Sequence, residues 1–443
     1  MISHDNDLIH GESRSGQLII NDDRTPDTQV LLELADDSVK IVMSWVEGSA
    51  PYDRWFGSSV IYADEPEKKR YAYQVPENLW FQDNKGRIAL LNCRGRSLIS
   101  NMGNGLATAV IVARTAVLGA HVGVNYSRVN GLRSSVTGLR RWVNQSSLST
   151  AVKTNVNGRV EELDYTLHSP TDIQLSDISD TRLTFLWHEE KRGDVTEIHD
   201  ECQIESFCKD LSEWDKLERY HRAVRDLLNI SSWCVHDRNV TQVLRTDDPK
   251  RLMSGRPYQE NWCHVVRGEQ NKHSLPNRIN YLIQYTDLKG DGFKAWFELW
   301  EKYSRAIDPF VSSLDLRRVT IEVQVAQCGI GLEALGYLLY LEDGEGVQKA
   351  NGHCFKDRLL RIAKDLESSF PIDTYVWAEK MTAAYNGVKH ANRKSLDAVD
   401  NANAWRESVL VFRSWIALRL GVTSQTLIER IKKDPMINAY IAI

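Results

Sequence analysis

The sequence predicts a two-domain α+β protein: a β-rich N-terminal domain of antiparallel sheet or sandwich, then an all-α helical bundle. Three observations predict it. From about residue 27 to 245, short apolar runs rich in β-branched and aromatic residues are broken by turn signals. From Gly292 onward, apolar residues recur every three or four positions and the connections are short, as in antiparallel helices. At 443 residues the chain is longer than one core usually serves. The expected divisions are a loosely held polar leader over 1–26, a β-rich domain with a helical connection over 27–304, and a helical domain over 305–443.

Composition bounds the function. Hydrophobic content of 42% and charged content of 26% are ordinary for a soluble globular chain. A formal charge of -5 argues against wholesale coating of nucleic acid but leaves room for a local basic site. Thirteen Trp and sixteen Tyr suit half-buried aromatics in sheets. The seven cysteines form no CxxC pair, the first residues lack a signal-peptide pattern, and no run approaches eighteen apolar residues. A reduced, cytoplasmic protein without a membrane span is the expectation.

Taken in order, residues 29–34, 39–46 and 58–63 are strand-like, and 87–93 follow an Asn-Lys-Gly turn at 84–86. Residues 107–118 form the longest apolar run of this half; the β-branched start favours a strand, and the length leaves a helix open. The stretch 129–142 carries Gly131 and Gly138 and ends in Leu139-Arg140-Arg141-Trp142, with Trp142 plugging a core and both arginines facing solvent. Strand-like runs follow at 160–167, 182–188 and 194–199, the last two flanking a turn around Gly193 as a hairpin. Helical spacing sets in over 204–228 through Phe207, Leu211, Trp214, Leu217, Tyr220 and Val224. His221, on or beside that face, reads as a core histidine with satisfied hydrogen bonds. Residues 245–280, with Pro249, Pro257 and Pro276, read as a loop-rich connection or a long hairpin with 262–266 as one arm.

In the helical half, Phe293, Trp296, Phe297, Trp300 and Tyr303 place a helix after the Asp291-Gly292 turn, broken at Asp308-Pro309. The most apolar helix covers 317–341 and contains Glu333. A carboxylate there must reach the surface, accept hydrogen bonds from a partner or join a site. Further helices are expected at 355–366, 373–389, 404–420 (capped by Gly421) and 423–431.

The chain has no P-loop, no GxGxxG after a strand, no GxSxG and no HExxH. Cys234, His236, Cys263, His264 and His273 fit no zinc spacing, so neither metal nor cofactor is expected. The stretch that carries chemistry is 384–394. If the helix continues through Gly387, Asn386 and His390 lie four residues apart on one face. Histidine exchanges protons near neutrality, and Lys389, Arg393 and Lys394 supply the field a phosphodiester needs. The competing reading is an ordinary helix-end histidine beside cations that the helix dipole favours.

The Gly331-Leu332-Glu333-Ala334-Leu335-Gly336 segment and the helix from Trp377 through Tyr385-Asn386-Gly387-Val388-Lys389-His390 resemble the HEPN superfamily. With Trp55-Phe56-Gly57 and Val136-Thr137-Gly138-Leu139-Arg140-Arg141-Trp142, the chain over 27–443 looks like the ApeA family of bacterial HEPN proteins. That resemblance implies a metal-independent endoribonuclease of anti-phage defence, acting on RNA such as tRNA by abortive infection. It also implies a homodimer through the HEPN domain, and a phage-derived trigger sensed by the N-terminal domain. Carried over, Asn386 and His390 match the motif's Asn and His, while its Arg position holds Tyr385. A phenol offers one donor and no charge where a guanidinium clamps a phosphate twice. Tyr385, Asn386 and His390 are the candidate catalytic set, Lys389, Arg393 and Lys394 the RNA-phosphate ligands, and Glu333 a supporting residue. Two other readings stand beside this one: a non-catalytic HEPN module for RNA binding or dimerisation, and a carbohydrate- or peptide-binding β-sandwich with a helical appendage.

Overall fold

The computed structural model describes residues 6–20, 28–35, 38–46, 52–56, 73–101, 105–177, 180–268, 273–288, 291–366 and 370–441. The strand expected at 58–63 lies outside the described residues, as does Gly57.

Strands β1 (Ser13–Ile19), β2 (Thr28–Leu34) and β3 (Val39–Val46) lead to a short helix, α1 (Tyr52–Phe56). Strands β4 (Asn78–Gln82), β5 (Arg87–Leu91), β6 (Arg94–Asn101), β7 (Leu106–Ala113), β8 (Thr115–Leu118) and β9 (Arg128–Val136) precede α2 (Leu139–Val143). Then come β10 (Leu148–Thr154), β11 (Val160–Leu167), β12 (Ile173–Ser176), β13 (Thr181–Arg192) and β14 (Val195–Glu213). Helix α3 (Trp214–Ser232) is followed by β15 (Arg238–Leu244), β16 (Lys250–Arg251), β17 (Pro257–Gln259) and β18 (Trp262–Arg267).

Among the described residues, fourteen of these strands form one antiparallel sheet in the order β12-β13-β14-β9-β15-β18-β8-β5-β4-β1-β2-β3-β7-β6. Its middle strands are buried on both faces. In β5, Ile88 and Leu90 enter one core while Ala89 and Leu91 enter another. That is why these strands read as unbroken apolar runs rather than alternating ones. The 107–118 run is two strands, not one element. It divides at Arg114, so that β7 pairs with β3 and β6 while β8 pairs with β18 and β5.

The polar start is not a loose leader throughout. Strand β1 pairs with β2 and β4, burying Leu18 completely. Its polar residues alternate outward, and inward-facing Arg14 is neutralised by Asp83, with Nε donating at 2.8 Å. The 204–228 helix is also corrected. Residues through Glu213 continue β14 against β13 and β9, and helix begins only at Trp214. Phe207 and Leu211 match helical spacing by coincidence, while cross-strand pairing of 203–207 with β9 decides the backbone. The hairpin around Gly193 and the β15–β18 hairpin form as expected. Arg140 pairs with Asp200 at 2.9 Å, and the buried Trp142 indole donates to the Ile283 carbonyl. His221 is fully buried between Ser134 and Ser206.

The helical half comprises α4 (Gly292–Lys302), α5 (Ser304–Leu314), α6 (Ile321–Glu342), α7 (Val347–Gly352), α8 (Phe355–Ala363), α9 (Thr374–Lys389), α10 (Ala398–Arg419) and α11 (Ser424–Ile431). The break expected at Asp308-Pro309 falls at Tyr303, and Pro309 sits inside α5. One apolar core joins this bundle to α3, α2 and the inner faces of β13 and β14, so it crosses the 304/305 boundary expected from sequence. Among the described residues, no helix is long and apolar enough to cross a membrane.

Candidate functional site at the end of helix α9

Helix α9 starts at a strong cap: the Asp373 carboxylate accepts from the backbone N–H groups of Tyr375 and Val376, both at 3.0 Å. Trp377, Ala378, Met381, Ala384 and Tyr385 face the core. The helix does continue through Gly387, to Lys389. His390 is the first residue beyond it, with φ −122° and ψ 110°, and its N–H closes the last turn on the Asn386 carbonyl at 3.0 Å. Asn386 and His390 are therefore joined through the backbone, but His390 leaves the helical path and its side chain is exposed.

The chain then turns back. Arg393 N–H bonds to the His390 carbonyl at 2.9 Å, and the backbone at Lys394 and Ser395 crosses over Gly387. A Cβ on Gly387 would lie 2.9 Å from the Lys394 carbonyl oxygen and 3.0 Å from Ser395 Cα, so only glycine admits this crossing without movement. The fold-back returns Arg393 and Lys394 towards Lys389 and His390. All four side chains are exposed, and among the described residues Arg393, Lys394 and the His390 ring have no ion-pair or hydrogen-bond partner. The arrangement is an exposed imidazole in a basic collar.

Tyr385 sits elsewhere. It is 5% exposed, its ring fills the space left by Gly329 of α6 and tilts against Phe355, and its hydroxyl donates to Glu333 Oε2 at 3.2 Å. Burial first, and the Glu333 charge second, push its pKa up to about 12, so it remains a donor at any physiological pH. Glu333 is the hub the sequence reading anticipated. Its carboxylate also takes Arg358 Nη1 at 3.2 Å and lies 3.6 Å from Lys389 Nζ. Lys389 is thus drawn to Glu333 and to the face of Tyr385, with Nζ 5.1 Å from the ring centroid. Beside the hub opens a cleft of about 510 Å³ lined by Arg305, Ile330, Glu333, Tyr337 and Arg358. Arg305 and Arg358 escaped the sequence reading because they reach Glu333's surroundings from other helices; the buried arginines of the 355–366 helix were the available signal.

The fold defines the class: a large antiparallel sheet whose core continues into a helical bundle bearing this basic helix end. Comparison with known families is specific for the first part. A family model described as ApeA N-terminal domain 1 matches residues 53–298, more than half the chain. The chain belongs to the ApeA family and is an anti-phage defence protein. The matched region runs from α1 into α4 and stops short of α9. No curated protein matches the chain, and no solved structure does.

Proposed function

We propose that this ApeA-family chain is a metal-independent endoribonuclease that cuts host RNA, such as tRNA, when a phage component engages the β-rich domain. The observation that supports the reading best is the exposed His390 ring beside Lys389, Arg393 and Lys394, a collar built by the chain folding back over Gly387. His390 takes the ribose 2′-OH proton as general base, and the 2′-oxygen attacks phosphorus. The P–O5′ bond breaks, and the leaving oxygen takes a proton from the equivalent histidine of a second copy across a two-fold axis. The products are a 2′,3′-cyclic phosphate and a 5′-hydroxyl. Asn386 holds a phosphate oxygen, and the three cations offset the charge that gathers in the transition state.

Expression of wild type and His390→Ala in phage-challenged bacterial cells, with sequencing of RNA 5′ ends, tests this. New ends and phage protection are expected with wild type and neither with the variant. Unchanged cleavage and protection in the variant would rule out the assignment. Since His390 is exposed, folding of the variant is expected to be intact, and circular dichroism checks it.

One observation favours a second reading, a non-catalytic module for RNA binding or dimerisation. Tyr385, which stands where the resemblance places an arginine, is buried on Glu333 and brings no charge to the collar. RNA binding without new 5′ ends in wild type would support that reading.

A further inference from the structure

We propose that the outer end of the β13–β14 hairpin is a binding site for a divalent first-row transition ion, held by His199, Glu190 and Glu197. In this register Glu190 stands directly opposite Glu197, and His188 opposite His199. Side chains alternate along strands, so all four lie on one face. Two carboxylates directly opposite each other repel and disfavour the pairing unless a cation lies between them.

The distances argue for an ion rather than for hydrogen bonds. His199 Nε2 lies 3.7 Å from Glu190 Oε2 and 3.6 Å from Glu197 Oε2. A charge-assisted N–H···O bond would be about 2.7–2.9 Å long. Around a tetrahedral ion with metal–ligand distances of about 2.0–2.2 Å, neighbouring ligand atoms stand about 3.3–3.6 Å apart. The three ligand atoms lie within 4.8 Å of one another, and His199 Nε2 is shielded from solvent with no hydrogen-bond partner. The His188 ring stacks on the His199 ring, with centroids 4.4 Å apart and planes 8° apart, which fixes the imidazole plane. One nitrogen and two carboxylate donors leave a fourth position for water. The imidazole favours Zn²⁺ and its neighbours over Mg²⁺ or Ca²⁺.

The place in the fold gives the ion a use. Strand β14 pairs with β9 from Gln203 onward, and β12 covers β13 only as far as Leu183. The segment 186–200 therefore continues as a two-stranded ribbon, which is marginally stable in water without a further contact. A bound ion would tie its two strands together.

The test titrates the full-length chain, stripped with a chelator, with Zn²⁺ in a calorimeter, and follows amide hydrogen exchange of residues 186–200. Wild type is expected to take up one equivalent with slowed exchange across the ribbon. His199→Ala and the isosteric pair Glu190→Gln with Glu197→Gln are expected to weaken that uptake at least tenfold and abolish the slowing. Without Zn²⁺, the glutamine pair is expected to melt no lower than wild type, since it removes a like-charge pair. Equal Zn²⁺ uptake by the variants, uptake that leaves ribbon exchange unchanged, or no uptake by wild type would each overturn the proposal. Ribonuclease activity is not a readout, so the outcome is independent of the α9 site.

Discussion

At the scale of single residues, burial decides protonation, and protonation decides what a side chain can contribute. His221 is enclosed, with Nδ1 2.9 Å from Ser134 Oγ and Nε2 3.0 Å from Ser206 Oγ. Burial, helped by the nearby Arg238 charge, holds its pKa well below 6.5, so it is neutral in the folded chain. His236 is shifted the same way by burial. A histidine whose folded pKa is depressed binds fewer protons folded than unfolded. Its contribution to stability is complete above the unfolded value of about 6.5 and is lost as pH falls below it. The melting temperature is therefore expected to fall between pH 7 and pH 5, by at most about 1.4 kcal/mol per pH unit for each histidine. His221→Gln is expected to be less stable at pH 7 yet to show a flatter profile over that range. An unchanged slope in the variant would mean that another group governs the acid side. Tyr385 follows the same logic in the site: a raised pKa keeps the phenol a donor to Glu333, which fits an anchor for α9 better than a phosphate clamp.

At the scale of elements, α9 is a helix whose end matters more than its length. Alanine is ordinarily about 1 kcal/mol better than glycine inside a helix. At position 387 the added methyl meets backbone, not a movable side chain. Gly387→Ala is therefore expected to destabilise by about 1–3 kcal/mol, the usual cost of overpacking, and to push the 390–395 loop off the helix. RNA binding should weaken, and its salt slope should flatten as contacts from Arg393 and Lys394 are lost, by about one for each phosphate contact. Thermal melting and binding at several salt concentrations measure both effects; a more stable variant would show that the loop does not rest on the helix. The elements also show what could be read in advance. Helix α9, its Asp373 start and the Asn386–His390 spacing were legible because they are local. The β14–α3 junction was not, since Phe207, Leu211 and Trp214 keep helical spacing while their partners lie in β9 and β13. Strand β1 was hidden by its polar alternation, and its value comes from pairing with β2 and β4. Glu333 stood out as a carboxylate in an apolar helix, but Arg358 did not, because the contact joins α6 to α8. The His199–Glu190–Glu197 cluster was invisible to spacing rules because its members meet across a hairpin.

At the scale of the whole molecule, the two halves are not separate bodies joined by a linker. One apolar core runs from β13 and β14 through α3 into α5, α6 and α10. Arg413 of α10 fastens it. This guanidinium is fully buried, and it donates to the carbonyls of Ile230 at 2.7 Å and Ser231 at 2.8 Å, at the end of α3. It also pairs with the buried Asp434 carboxylate at 2.9 Å. Asp434 in turn accepts from the Met436 N–H at 2.9 Å, so the segment after α11 is held by the same charge. Arg413→Ala would leave a carboxylate and two carbonyls buried without their main donor. Removing one partner of such a pair costs about 3–5 kcal/mol. The variant is expected to lose that much in urea unfolding. Because the core is shared, tryptophan fluorescence and far-ultraviolet circular dichroism should report one coincident transition in wild type. Two separate transitions, with Arg413→Ala shifting only one, would show that the sensor and helical halves unfold independently. A trigger bound to the sheet would then need a route to α9 other than this shared core. A single transition that moves as a whole keeps the direct route open, from the β13–β14 face through α3 and Arg413 to the bundle that carries His390.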